Sequence, residues 1–158
     1  MGKRIVALFE ILITVTLFAM FSGIVITTRA NEAIVDHTEE FVELVRYKGC
    51  ITQQMYNDFL NGFDSVVDVK IAATRKDPLG SPSDPKTIQF TKDIVGTIES
   101  TADHVYPLNV GDEIEVVVRR PARSMYSTIV GSLSGQYARD DCPVIAIKGG
   151  MILNEQYH

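Results

Sequence analysis

The run "IVALFEILITVTLFAMFSGIVITT", residues 5–28, constrains this chain more than any other feature; only Glu10, a few threonines, Ser22 and Gly23 interrupt it. Its length exceeds the ~20 residues that a helix rising 1.5 Å per residue needs to cross a bilayer. A cleaved signal peptide has a shorter apolar core, about 7–15 residues, and ends on small residues. Thr28-Arg29-Ala30 is a poor site of that kind, because Arg29 intrudes. The run therefore reads as an uncleaved or differently processed anchor. Lys3 and Arg4 are expected to stay cytoplasmic, which places the rest of the chain outside.

Glu10 is the costly residue in that run. A carboxylate in hydrocarbon costs a few kcal/mol, so it usually has a partner or a role. Glu10 lies only five residues in, ~7.5 Å along a helix, near enough to the cytoplasmic face for hydration or protonation. The other reading pairs it with a positive group on a neighbouring subunit.

Helical spacing continues beyond the run. Positions 34, 38, 41, 45 and 48 share a face, with Ile34, Phe41 and Val45 as its apolar members, and no proline intervenes. One helix from Ile5 to about Lys48, ~66 Å long, is expected, ended by Gly49 after the basic Arg46 and Lys48. "ITQQMYNDFLNGF" predicts a short second helix with Thr52 as N-cap, Met55, Tyr56 and Phe59 on its apolar face, and Gly62 at its end. After residue 63 the period becomes two. Val67, Val69, Ile71 and Ala73 alternate with polar residues, as do Ile114, Val116 and Val118, and Val144 to Ile147 gives a third strand before a bend or bulge at Gly149-Gly150. "KDPLGSPSDPK" is a loop by composition. A fourth strand near Ile88–Phe90 with a helical turn after it fits the ambiguous stretch that follows. The expected fold class is α+β: a long N-terminal transmembrane-to-ectodomain helix, a short second helix and a small antiparallel sheet. The expected organisation is a cytoplasmic start at 1–4, a transmembrane helix at 5–28, an extracytoplasmic helical segment at 29–63 and a β-rich domain at 64–158.

Composition excludes some functions. Net charge is -5, and beyond residue 28 there are 13 basic and 19 acidic residues, a balance of -6. An acidic domain is a poor partner for nucleic acid phosphates. Cys50 and Cys142 have no zinc-site spacing. In an exported domain a disulfide between them is allowed, worth roughly 4–5 kcal/mol in the chain-entropy model; the alternative is two unpaired buried thiols. No phosphate loop, GxSxG or HExxH occurs. His37, His104 and His158 are scattered, and a Cys50/His104 nucleophile pair carries little weight beside chance. Asp112-Glu113 and Asp140-Asp141 read as solvated turn acids sooner than as a cation site. Tyr126, Ile129, Val130 and Leu133 read as core sooner than as a partner surface. Nothing in the sequence indicates an enzyme, a cofactor or a metal.

The short basic start, the apolar helix with its early glutamate, the helix running out to "RYKGCIT", the "ITxxxYxxFL" helix, the strand "VVDVKIAA" and the strand "NVGDEIEVVV" follow in order. This plan resembles the TadE/TadF-type minor pseudopilins of the Tad/Flp type IV pilus-like system, and similar small Gram-positive pilin-like membrane proteins. The resemblance implies a helix that packs in the membrane with other pilin-like subunits and apparatus proteins, with the sheet domain displayed outside and Glu10 at the pilin glutamate position. One departure is visible. Cleavage after Gly2, the only nearby glycine, would leave Glu10 as the eighth residue, whereas the family pattern makes it the fifth. The function expected is a minor subunit or assembly factor of a secretion, adhesion or conjugation apparatus. The rivals are a monomeric membrane-tethered accessory domain and a secreted domain released near Ala30.

Overall fold

A computed structural model describes residues 2–75, 87–121 and 143–154. These fall into two compact units, residues 2–33 and residues 34–121 with 143–154. Helix α1 spans Gly2–Lys48 and contributes to both. Its end is set by Gly49, whose φ of 65° suits a residue without Cβ; the Gly49 N–H donates to Val45 O at 2.9 Å. Arg46 and Lys48 lie in the last turn, where positive charge complements the helix dipole.

In the second unit, α1 buries Ile34, Phe41, Val42 and Val45. Thr38 occupies the same stripe and is fully buried, which its hydroxyl tolerates by donating to Ile34 O at 2.6 Å. Strand β1 (Cys50–Thr52) leads straight into α2 (Gln53–Asn61), whose N-cap is Thr52, its Oγ1 accepting from Met55 N at 3.2 Å. Met55 and Phe59 are buried. Gly62 closes α2 with an ordinary φ of -73°. It is glycine for want of space: a Cβ there would lie 2.1 Å from His37 Nε2.

The main sheet comprises β2 (Asp68–Arg75), β3 (Thr87–Phe90), β5 (Glu113–Arg119) and β6 (Val144–Met151), antiparallel throughout in the order β3-β2-β5-β6. Pairing Ile71 with Val116 and Ala73 with Ile114 turns these residues to one face with Val118 and Ala146, where the helices cover them. Between β3 and β5 lie α3 (Thr91–Ser100), which buries Ile94 and Ile98, and β4 (Val105–Pro107). Strand β4 pairs with β1 as a separate two-stranded ribbon.

The α+β class is thus present, with more elements than the sequence predicts. The ribbon arises because Cys50–Thr52 meets Val105–Pro107, a pairing of distant three-residue segments that no local pattern signals. A full ten-residue α3 replaces the expected helical turn, its Ile94 and Ile98 four apart on the buried side. Strand β6 continues through Gly149-Gly150 to Met151, and the irregularity in this pair falls at Val118/Arg119. Gly149 keeps the strand regular because a Cβ there would approach Ile114 O to 2.7 Å.

The "NVGD" stretch is a structural turn. Asp112 is fully buried, its Oδ2 accepting from Asn109 N at 2.9 Å, while Gly111 holds φ 94° and Ile152 N donates to Asp112 O at 2.8 Å. Buried and engaged by the Asn109 N–H, this carboxylate is not the solvated turn acid expected. Asp140-Asp141 and residues 126–133 lie outside the described residues.

Candidate functional site

The first part of α1 is long and apolar enough to cross a membrane or act as a signal anchor, and its most apolar window is wholly unburied. Residues 5–15 are exposed around the full circumference, and Leu8, Phe18 and Phe21 show 67–73% of their surface. A helix apolar on all sides calls for an apolar surrounding. Three threonines in it have their hydroxyls satisfied by the preceding turn: Thr14 donates to Glu10 O, Thr16 to Leu12 O and Thr27 to Gly23 O, each at 2.8 Å. Such hydroxyls add little cost in hydrocarbon, since each already has an acceptor.

Glu10 differs. It is exposed, and its carboxylate makes no hydrogen bond or ion pair among the described residues. The structure surrounds it with Leu8, Phe9, Ile11 and Leu12, all exposed, and brings no cation of the described chain to it. Lys3 and Arg4 belong to the same helix, one to two turns earlier.

The remaining sequence candidates have structural surroundings. Cys50 is a buried free cysteine on β1, and burial pushes its thiol pKa up against the weaker opposing pull of Lys48. Cys142, its proposed disulfide partner, lies outside the described residues. His104 sits at φ 53° with Nδ1 at 3.1 Å from Ile98 O, so the ring is engaged at the end of α3. His37 stacks on Phe59 with centroids 5.5 Å apart, meets Phe63 edge-on at 5.2 Å, and holds Phe59 O through Nε2 at 3.2 Å. It thereby satisfies a carbonyl of the last turn of α2. Among the described residues, no group of three or more His, Cys, Asp or Glu is placed to hold a metal ion.

Sequence reading missed the surroundings of Tyr106. This fully buried tyrosine donates its hydroxyl to Gln89 Oε1, and Arg75 lies 5.5 Å over the ring while donating to Pro107 O at 3.2 Å. Burial chiefly raises the Tyr106 pKa, with Arg75 opposing. The cluster ties the sheet to the ribbon. No known family, curated protein or solved structure gives a significant match to this chain.

Proposed function

We propose that the chain is a pilin-like, single-pass membrane protein: a minor subunit or assembly factor of a Tad or type IV pilus-like secretion, adhesion or conjugation apparatus. The observation that carries this reading is α1. One helix, Gly2–Lys48, begins with an all-round apolar stretch bearing the unpartnered carboxylate of Glu10 and contributes its residues from Ile34 onward to an α+β unit. On this reading the N-terminus is cytoplasmic, residues 5–28 cross the membrane, and the unit beginning at Ile34 lies outside.

An unpartnered carboxylate in hydrocarbon costs a few kcal/mol, and a cation from a neighbouring helix removes much of that cost. Because Glu10 is a single fixed point on the helix, such a pair also sets the axial register between subunits. The partners are other pilin-like subunits and membrane proteins of the apparatus.

The test is in-membrane cross-linking and co-purification of full-length Glu10→Leu against wild type. Membrane insertion should persist while co-assembly drops at least tenfold. Assembly at the wild-type level would refute the inter-subunit role of Glu10, and absence of assembled partners even in the wild type would assign the chain to tethered, monomeric accessory domains. Intact mass of the membrane-extracted protein distinguishes processing at Gly2, processing near Ala30 and none.

A further inference from the structure

The face of the main sheet turned away from the helices is not a plain polar surface. Pairing places Ile88 and Phe90 of β3, and Val144, Ile147 and Met151 of β6, on this face beside the half-buried Val117. The five outer residues are 44–62% exposed. They form two apolar flanks, one on each edge strand, on either side of a largely charged centre supplied by β2 and β5. Five charges lie between these flanks: Asp68 opposite Arg119, Lys70 diagonal to Glu115, and Glu113 opposite Thr74. Asp68, Lys70, Glu115 and Arg119 form no ion pair within the described chain, whereas Glu39 pairs with Lys148 and Glu43 with Arg46 on the helix side.

We propose that this face is a two-fold interface with a second copy of the same chain. A two-fold axis running along the strands, midway between β2 and β5, exchanges β2 with β5 and β3 with β6 when two such faces meet. One axis then satisfies three features together. Asp68 meets the copy's Arg119, and Lys70 comes beside the copy's Glu115, so all four unpaired charges acquire opposite partners. Phe90 covers the copy's Gly149, a position bare of side chain. Ile147 projects toward the place where β3 has ended and β2 continues alone. There the structure has a groove of about 540 Å³ lined by residues 68–72 with Phe90, Thr91, Glu115 and Val117.

Reciprocal contacts of this sort are the mark of an isologous dimer. Sheets packed face to face in this way lie within ~30° of alignment, which their twist allows.

The test uses full-length protein in detergent micelles by sedimentation velocity, in a Glu10→Leu background that removes association through α1. A failure here is thereby distinct from failure of the Glu10 reading. The Glu10→Leu chain should show concentration-dependent dimers, weakened at least tenfold by Ile147→Asp, which places a charge in the groove. Asp68→Arg and Arg119→Asp chains should each be monomeric alone, since each then faces its copy with like charges. Mixed, they should form a heterodimer within ~3-fold of the parental affinity, because every facing pair is again opposite in sign. Monomers at every concentration, a dimer indifferent to Ile147→Asp, or a mixture that stays monomeric would each overturn the proposal. So would vesicle binding lost in Ile147→Asp without self-association, which would make the face a lipid contact.

Discussion

Gly62→Ala separates local strain from backbone preference within one residue. The Gly62 φ of -73° is comfortable for alanine. The substitution should on that ground stabilise the fold by about 0.4–1 kcal/mol, through reduced freedom of the unfolded chain. The new methyl would, however, lie 2.1 Å from Nε2 and 2.5 Å from Cε1 of His37. The imidazole must leave its place between Phe59 and Phe63. Its hydrogen bond to Phe59 O, worth about 1 kcal/mol, is lost, with ring contacts worth about 0.5–1.5 kcal/mol. The His37 side chain is 31% exposed and has Glu40 nearby, so it has somewhere to go and the clash itself is relieved. Net destabilisation is expected at about 1–2 kcal/mol. In a His37→Ala background the obstacle is gone, and the same substitution should stabilise by about 0.4–1 kcal/mol. The double-mutant cycle should close with a coupling of about 2 kcal/mol. Urea unfolding of the full chain in micelles, followed by near-UV circular dichroism of its tyrosines, measures it. Destabilisation of the same size in both backgrounds would refute the argument from His37.

Asp112→Ala should cost about 1–3 kcal/mol by removing the buried carboxylate that accepts from the Asn109 N–H, and the same unfolding assay should show it; Asp112→Asn should cost less if its amide oxygen takes over as acceptor. Tyr106 and Tyr56 both have pKa values raised by burial above the ordinary value of 10.0. A raised folded-state pKa contributes stability that is complete below the unfolded value and is lost as pH rises beyond it. Stability should therefore fall from about pH 10 upward, by up to about 1.4 kcal/mol per pH unit for each tyrosine still protonated in the fold. Tyr106→Phe should remove its share of that slope in melts between pH 9 and 11; an unchanged slope would show that Tyr106 ionises equally in both states.

Legibility in the sequence followed the range of the interactions. Helix α1, the Thr52 cap, the Gly49 and Gly62 ends and the alternation in β2 and β5 all rest on signals within a few residues, and all appear in the structure. The ribbon of β1 and β4 does not, because its strands are three residues long and each depends on the other. The continuation of β6 through Gly149 was obscured for a related reason. Two consecutive glycines suggest a bend, yet here the backbone of β5 packs too closely to admit a Cβ. At the candidate site, Glu10 stood out because one charge interrupts an apolar run, a contrast visible in one dimension. The outer sheet face did not, because Phe90 comes beside Ala72, and Ile147 beside Val117, only once register is fixed.

Arg46 donates through Nε to Met151 O and accepts through its own carbonyl from Leu153 N, while Lys148 reaches Glu39. The partners of these helix residues are thus made more than 100 residues after them. At about 5–20 residues per second, the 105 positions between Arg46 and Met151 take roughly 5–20 s to synthesise. Through that interval Ile34, Phe41, Val42 and Val45 have been made while the core they share with Ala146 and Ile152 is incomplete. Vectorial synthesis therefore leaves that core unfinished until β6 has been made, and a chain halted before residue 144 lacks Ala146 and Ile152 from it.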